Sequence, residues 1–332
     1  MMLKRLFRSL AYSSCWEPIW DLVRDFGAVM MLHSVCPVDP NGLEENQSLR
    51  TSPERLDRFL SEVRRKGFAL VSMDEIVETL ASGKKIGKRL ALTADDGHLD
   101  NFTAALPVLK AHDAPLCVFL ATGLMQGETI AWWNCLERLV LSRERLELPD
   151  GRVYPCGSAA ERLEAFRQAR WWIQKLSLDE LNGALSAFFG VGEAELLAES
   201  RGNYLPVERL PDYSSEPLLT LGAHTHWHFA CENLTAEAFR ANMEMNLRQL
   251  ASVGVRPRHF AYPYGRDPAI AARFAPILRE MGFVSAAVTR ADVLMRGADP
   301  FAIPRLVLSE YPHDTQLPYV ALARRTLLGK VS

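Results

Sequence analysis

Short apolar runs alternate with helical patterns along most of this chain. Residues 28–35, AVMMLHSV, and the later run PLCVFLAT are apolar at successive positions, which is typical of strands covered on both faces. Between them, TSPERLDRFLSEVRRKG predicts a helix, because Ser52 can cap it, Pro53 suits its first turn and Gly67 can end it. The apolar face of this helix would consist of Leu56, Phe59, Leu60 and Val63.

The alternation continues, which favours parallel strands joined by crossover helices. Further strands are predicted in FALVS, RLALTADDG, LLTLGAH, HFAYP, FVSAAVT and FAIPRLVL, with helices in NFTAALPVLKAHD and TAEAFRANMEMNLRQLASVG. The rhythm breaks at about residues 129–216, where long helical patterns predict a helical insertion between two strands. We therefore expect an α/β domain over residues 28–318, an N-terminal extension over 1–27 and a C-terminal tail over 319–332.

Composition changes this picture little. The 332 residues are 48% hydrophobic and 23% charged, with a net charge of −2, which gives no reason to expect a nucleic-acid partner. None of the six cysteines forms a C-x-x-C pair, so neither a thiolate zinc site nor a redox motif is indicated. The N-terminus, MMLKRLFRSLAYSSCW, predicts neither a signal peptide nor a membrane span. We expect a cytoplasmic protein, with weak contact to a membrane surface through this basic segment as the alternative.

Three of the eight histidines lie within five residues, at His224, His226 and His228, directly after an apolar run. The i, i+4 spacing places His224 and His228 on one face of a helical turn, and H-x-x-x-H can present two nitrogens to one metal ion. The alternative is a solvated loop without a ligand role. His226 would point away from the shared face, so we expect it not to bind the metal.

The second informative segment is TADDGHLDN, in which Asp95 and Asp96 follow a predicted strand. Adjacent carboxylates repel each other, and a bound cation would offset the repulsion. On its own the Asp-Gly pair indicates an ordinary turn. Strand ends converge in parallel α/β folds, however, so Asp96 could join the two histidines. Two histidines and one carboxylate leave coordination positions for water, as in catalytic metal sites.

A third segment, RHFAYPYGRD, ends a predicted strand in a Pro-Tyr-Gly turn. Pro263 fixes its own backbone angle and Gly265 permits a sharp reversal. Such a turn can aim a backbone N–H at a fixed point, although a plain strand-to-helix turn is the alternative.

Together these motifs resemble the polysaccharide deacetylase family, also known as carbohydrate esterase family 4. TADDG at residues 93–97 is similar to the family's TFDDG, HTHWH at 224–228 matches its H-[ST]-x-x-H, and FAYPYG at 260–265 matches a variant of its third motif. The resemblance covers roughly residues 28–308. It implies a distorted (β/α) barrel, usually with seven strands, and divalent-metal-dependent removal of N-acetyl, sometimes O-acetyl, groups from amino sugars.

The resemblance also implies roles for individual residues. Asp96, His224 and His228 would bind the metal, which we expect to be Zn²⁺, with Co²⁺, Ni²⁺ or Fe²⁺ as alternatives. Asp95 would be the catalytic base, and Tyr264 would donate its backbone N–H to the oxyanion. The expected partner is an N-acetylated glycan or a lipid-linked sugar.

This chain departs from the family pattern in two respects. The later motif with a catalytic histidine is not evident, so His33 on the first strand becomes the preferred general acid, with a buried core histidine as the alternative. The arginine of the third motif is replaced by Ala261, and Arg305 could orient Asp95 instead.

Four residues are candidates for binding the sugar: His98, Tyr262, Pro263 and Trp133. His98 occupies a position where the family often has tyrosine. Trp133 could stack on a sugar ring, although apolar packing is the alternative.

Three functions remain open at this point. The first is N-deacetylation of an amino-sugar glycan or its lipid-linked precursor. The second is a metal-dependent amidase acting on a non-sugar amide. The third is a carbohydrate-binding protein without activity, against which the presence of both base and ligands argues.

Overall fold

Short parallel strands curl into a barrel at the centre of the fold. The computed structural model describes residues 25–267, 269–310 and 317–328. The strands are β1 (Phe26–Leu32), β2 (Ala69–Val71), β3 (Arg89–Ala94), β4 (Leu116–Leu120), β5 (Arg145–Glu147), β6 (Val153–Pro155), β7 (Leu219–Ala223), β8 (His259–Ala261), β9 (Ser285–Ala287), β10 (Leu294–Met295) and β11 (Leu306–Val307).

The main sheet runs in the order β1, β3, β4, β7, β8, β9, all parallel neighbours. β11 lies parallel to β1 on its other side, and Ile303, just before β11, forms a parallel pair with Ala287 of β9. The barrel of seven parallel strands therefore closes through the last segment of the sheet, as the sequence predicted. β2 pairs with the start of β3, and β10 lies antiparallel to β1.

Helices cover the barrel. They are α1 (Glu44–Gln47), α2 (Pro53–Arg65), α3 (Met73–Ala81), α4 (Leu106–Ala111), α5 (Thr122–Gln126), α6 (Trp132–Ser142), α7 (Ala159–Ile173), α8 (Leu178–Phe189), α9 (Glu193–Arg201), α10 (Ala236–Ser252), α11 (Ala269–Glu280) and α12 (Leu317–Leu328), with 3₁₀ turns at Val207–Tyr213 and Cys231–Asn233.

The predicted start of α2 at its capping residue is confirmed, and α3 begins in the same way. Ser52 Oγ accepts a hydrogen bond from the Arg55 N–H at 3.2 Å, and Ser72 Oγ accepts one from the Glu75 N–H at 3.1 Å. Each cap satisfies a backbone donor that has no partner inside the helix. The apolar face predicted for α2 is fully buried against the barrel.

The expected helical insertion is also confirmed. Between β4 and β7 the chain forms α6 to α9 and the β5–β6 hairpin. These elements have a hydrophobic cluster separate from the barrel core, with Leu136, Phe166 and Leu185 among its fully buried members. The insertion is therefore a packed layer beside the barrel, on the side where β4 ends.

Three strand and helix boundaries differ from the prediction. β1 begins at Phe26 and ends at Leu32, so His33 follows the strand instead of belonging to it. The run after the DDG turn begins as a π-helical turn, Asn101–Ala105, before α4. Pro107 has no backbone N–H to donate to the carbonyl four residues earlier, which disfavours a regular helix at this point. Pro304 likewise limits the final strand to β11.

Part of the chain beyond residue 318, where the sequence predicted a tail, packs against the barrel. In α12, Tyr319 and Leu322 are buried in the barrel core, and the Tyr319 ring packs edge-on against Phe26 at 5.6 Å. Residues 1–24 lie outside the described ranges, so the expected membrane contact of the N-terminus stays a prediction. Within the described ranges, no helix combines the length and the apolar character needed to span a bilayer.

Glu137 joins the insertion to the loop that follows β1. This buried carboxylate on α6 accepts hydrogen bonds from the Leu43 N–H at 2.5 Å, Asn46 Nδ2 at 2.9 Å and Gln47 Nε2 at 3.1 Å. Hydrogen bonds to a charged group contribute more to the stability of the fold than hydrogen bonds between neutral groups. Glu137 therefore ties the short helix α1 and the residue before it to the insertion.

We expect Glu137→Ala to lower the free energy of unfolding by about 2–3 kcal/mol, because three donors lose a charged acceptor. Urea denaturation measures this change. Glu147→Ala, at an exposed position on β5, is the control and should change stability by less than about 0.5 kcal/mol. Equal effects of the two substitutions would contradict the role given to Glu137.

Candidate metal centre

Asp96, His224 and His228 meet at the carboxyl ends of β3 and β7. Asp96 Oδ1 lies 3.4 Å from His224 Nε2 and 3.0 Å from His228 Nε2. One ligand atom from each of the three residues lies within 4.8 Å of the others. Residues distant in sequence thus present one oxygen and two nitrogens to a common point, which is the donor set of a three-ligand metal site.

The environment of Asp96 fits a bound cation. Its carboxylate is buried, and Oδ1 accepts no well-aligned hydrogen bond from the described residues although two imidazoles face it. Burial favours the neutral acid, but the neighbouring His228, together with His224 and His98, outweighs it and holds the Asp96 pKa well below its usual range. Asp96 is therefore an ionised carboxylate at neutral pH, as a metal ligand must be.

Neighbouring groups fix the orientation of both histidines. His224 Nδ1 donates a hydrogen bond to the Ala261 carbonyl at 2.8 Å, which leaves Nε2 with a lone pair available to a metal ion. The His228 ring lies between Trp133, at 5.4 Å between ring centroids, and Tyr264, at 5.0 Å. The aromatic walls restrict the ring of His228, and the carbonyl fixes the tautomer of His224.

The backbone is strained at this site. Asp96, Thr225, His228 and Tyr264 have φ values of 73°, 61°, 53° and 54°, in the left-handed region that residues other than glycine rarely adopt. Such conformations cost on the order of 1–3 kcal/mol each and persist only when the surroundings enforce them. Four of them around one cavity require a strong supporting network.

Two asparagines on α10 supply much of that support. Asn242 Oδ1 accepts hydrogen bonds from the backbone N–H groups of His226 at 2.7 Å and Trp227 at 3.0 Å. Asn246 Nδ2 donates to the Thr225 carbonyl at 2.6 Å and to the Leu120 carbonyl at 2.8 Å. Both side chains are buried, so the histidine loop is fixed to the helix and to β4.

Asn242 and Asn246 were not found from the sequence. The available signal was their i, i+4 spacing, which places both on one face of the predicted helix. Polar residues in an amphipathic pattern are ordinarily assigned to the solvent face, and here they lie on the buried one.

His226 is not among the three residues of the candidate metal cluster. Its fully buried ring donates from Nε2 to Glu128 Oε2 at 2.9 Å, and Nδ1 accepts from the Thr122 hydroxyl at 2.8 Å. Both ring nitrogens are thereby occupied, and His226 links the histidine loop to α5.

Asp95 forms a buried ion pair with Arg305, the residue suggested as its orienting partner. Arg305 Nη1 and Nη2 donate to the two carboxylate oxygens at 2.6 and 2.8 Å, and Nη1 also reaches Thr93 Oγ1 at 3.1 Å. Burial alone would raise the Asp95 pKa, but the Arg305 charge and hydrogen bonds, with help from His224, lower it. Asp95 is therefore a fixed carboxylate beside Asp96.

A cavity of about 1630 Å³ opens above these residues. The insertion forms one wall through Trp133 and Arg170, and the loop after β1 forms another through His33 and Asn46. Typical small-molecule pockets have volumes of about 300–1,000 Å³, so this cavity has room for more than one sugar ring.

His33 lies at the cavity, half-buried, directly after β1. Burial lowers the pKa of His33, whereas the Asp96 and Asp95 carboxylates oppose this shift. Its Nδ1 atom is buried without a hydrogen-bond partner among the described residues. His33 is therefore not a satisfied core histidine, the alternative considered above.

The four sugar-binding candidates separate into two groups. Trp133 and His98 line the cavity, and His98 Nε2 also lies 3.5 Å from the second oxygen of Asp96. Tyr262 does not line it, because its fully buried ring packs against Phe260 at 5.0 Å. Pro263 is likewise buried away from the cavity. The expectation that Tyr262 and Pro263 contact the sugar is therefore wrong.

Comparison with known proteins shows which proteins this chain is similar to. The family model described as polysaccharide deacetylase matches residues 183–286, which include the histidine motif and the FAYPYG turn but not the TADDG motif. The resemblance drawn from the motifs is thus confirmed. A comparison with curated protein sequences finds no match.

Several solved structures share the fold. The Streptococcus pyogenes deacetylase PplD in complex with acetate aligns with a TM-score of 0.56 and 16% identity over 88% of this chain and 96% of that chain. IcaB from Ammonifex degensii aligns with a TM-score of 0.54 and 19% identity over 90% and 97%. A de-N-acetylase from Aggregatibacter actinomycetemcomitans aligns with a TM-score of 0.51 and 13% identity over 86% and 95%. At these identities the likeness establishes the fold, which is the deacetylase barrel.

We expect Asn246→Ala to weaken metal binding roughly 10–100-fold, the usual effect of removing a residue that orients ligands. Calorimetric titration of the metal-free protein with Zn²⁺ measures this affinity. Asn182→Ala is the control, because Asn182 bonds only the exposed Glu193 on the insertion. Unchanged zinc affinity in a folded Asn246→Ala protein would show that the histidine loop keeps its geometry without the helix.

Proposed function

We propose that this protein is a hydrolase that removes the N-acetyl group from an amino-sugar glycan or a lipid-linked sugar precursor, with Zn²⁺ held by Asp96, His224 and His228. The observation that carries the proposal is the meeting of these three side chains, beside the Asp95–Arg305 pair, on the floor of one wide cavity. A divalent ion bound there would polarise the acetamide carbonyl and lower the pKa of a water molecule.

Asp95 is the proposed base. Both of its oxygens are engaged by Arg305, yet a carboxylate oxygen has two lone-pair sites, so one remains for the proton of the attacking water. Arg305 holds the carboxylate in a single orientation beside Asp96. Asp95 then receives the proton as the water attacks the acetyl carbon.

The backbone N–H of Tyr264 is the proposed oxyanion donor. Its left-handed conformation follows from the tight Pro-Tyr-Gly turn, in which the Gly265 N–H donates to the Tyr262 carbonyl at 3.0 Å. Among the described residues no acceptor receives the Tyr264 N–H. A fixed and available donor next to His228 can stabilise the negative charge that develops on the acetyl oxygen.

His33 is the proposed general acid, because the amine must leave in protonated form. It lies at the cavity beside both carboxylates, which partly oppose the lowering of its pKa by burial. The unpartnered Nδ1 is the atom through which we expect the proton to move.

The dimensions of the cavity favour a glycan substrate over a small non-sugar amide. The cavity volume of about 1630 Å³ and the indole of Trp133 in its wall suit a chain of sugar rings. A carbohydrate-binding protein without activity would have no use for the Asp95–Arg305 pair beside a ligand set. Both alternatives are outcomes of the experiments below.

Substitutions of the two adjacent carboxylates should have different effects. Asp96→Ala should lose bound zinc, because one of three ligands is removed. Asp95→Asn should keep zinc and lose acetate release by a factor on the order of 10²–10⁴, because only the base is removed. Metal content and acetate release from N-acetylated chitooligosaccharides, with and without chelator, measure both. Full acetate release by Asp95→Asn would end the base assignment.

The same assay separates the alternatives. Zinc-dependent release of acetate from simple amides but from no glycan would favour the amidase. Glycan binding without acetate release from any substrate would favour the binding protein.

We expect His33→Ala to lower kcat on the order of 10²-fold, because the leaving amine loses its acid, while zinc content stays unchanged. His112→Ala is the matched control, because His112 bonds Asp57 on the outer helices at 2.7 Å. Unimpaired turnover by the folded His33→Ala protein would assign the acid to another residue.

A further inference from the structure

Three arginines lie together on one wall of the cavity. Arg167 and Arg170 project from α7, and Arg266 follows the Tyr264 turn. Glu45 pairs with Arg170 at 2.7 Å and with Arg167 at 3.2 Å. In the described part of the chain, Arg266 has no carboxylate within ion-pair distance.

The positive charge of this cluster is only partly neutralised. The pKa of Arg266 is lowered, first by partial burial and then by the positive charge of Arg170, with Glu45 opposing the shift. Like charges at short range repel, and a fold retains such an arrangement where something of opposite sign offsets it. Glu44 also lines the cavity, so even with both glutamates the wall has more guanidinium groups than carboxylates.

The cluster lies close to the metal centre. The Arg170 guanidinium is 5.9 Å from the centroid of the Tyr264 ring, and the His228 ring lies 5.0 Å from the same ring between centroids. The Tyr264 ring therefore neighbours both Arg170 and one of the residues that would hold zinc. Arg170 is therefore within reach of a substituent on a sugar whose acetamide lies at the metal.

On the basis of the proposed function, we propose that Arg266 and Arg170 form an anion subsite, and that the substrate is an N-acetylated sugar carrying a phosphate or a carboxylate next to the acetamido sugar. Guanidinium groups match the geometry of both anions through paired hydrogen bonds. Arg266 has its donors available, and Arg170 is held in place by Glu45. A neutral glycan would leave this charge uncompensated.

Binding experiments on the zinc-loaded full chain decide the proposal. The probes are N-acetylglucosamine, N-acetylglucosamine 1-phosphate and the disaccharide of glucuronic acid and N-acetylglucosamine. Calorimetry should give a dissociation constant about tenfold or more lower for at least one anionic probe than for the neutral sugar, since hydrogen bonds to charged groups are the stronger kind. The probe that gains more identifies phosphate or carboxylate as the preferred anion.

Variants locate the effect. Arg266→Ala should remove about tenfold of the affinity for the anionic probe and leave binding of N-acetylglucosamine unchanged, and Arg266→Lys should restore part of it. Arg279→Ala is the control, because its exposed side chain lies near Asp299, outside the cavity residues. Equal affinities for neutral and anionic probes, or an anion preference untouched by Arg266→Ala, would overturn the subsite.

Measurement of acetate release tests the proposed deacetylase activity separately from the proposed anion subsite. Arg266-dependent anion binding without acetate release from any probe would reject the deacetylase and keep an anion site in the cavity. Acetate release from neutral glycans with no anion preference would keep the deacetylase and reject the subsite.

Discussion

Two adjacent buried carboxylates, Asp95 and Asp96, set the constraint on which this site depends. Each needs a positive or proton-donating partner, because an isolated buried charge costs several kcal/mol. Asp95 receives Arg305, which precedes the strand that closes the barrel, and Asp96 faces the imidazoles that follow β7. The site is therefore complete only when distant strands have assembled, so that the closure of the barrel and the construction of the centre are one event.

The strained backbone around the cavity depends on a second polar network. Left-handed residues at the ends of β3, β7 and β8 turn side chains inward, and Asn242 and Asn246 hold the loop after β7 in that conformation. Buried polar networks stabilise only when their members are satisfied. The helix α10 thus supports the ligand residues without supplying one.

The sequence predicts which three side chains meet, because the motifs are local and the parallel strands bring their carboxyl ends together. It failed at Tyr262, although strand alternation places Tyr262 on the same face as the buried Phe260, and Tyr264 is the residue that reaches the cavity. It could not identify Asn242, Asn246 or Glu137, because a polar side chain in a helical pattern gives no indication that its partner is a loop far away in the chain. The pairing of Arg305 with Asp95 was only a suggestion until barrel closure placed them together.

The insertion and the loop after β1 form the walls of this cavity, and the barrel forms its floor. The barrel supplies Asp95, Asp96 and the histidines, whereas the walls above them come from α6, α7 and the segment that contains α1. These walls are joined by two glutamates, Glu137 and Glu45, which bind across them. Because Glu45 is shared between Arg167 and Arg170, it has little capacity left for Arg266. The contact that joins these walls therefore also leaves Arg266 without a carboxylate partner among the described residues.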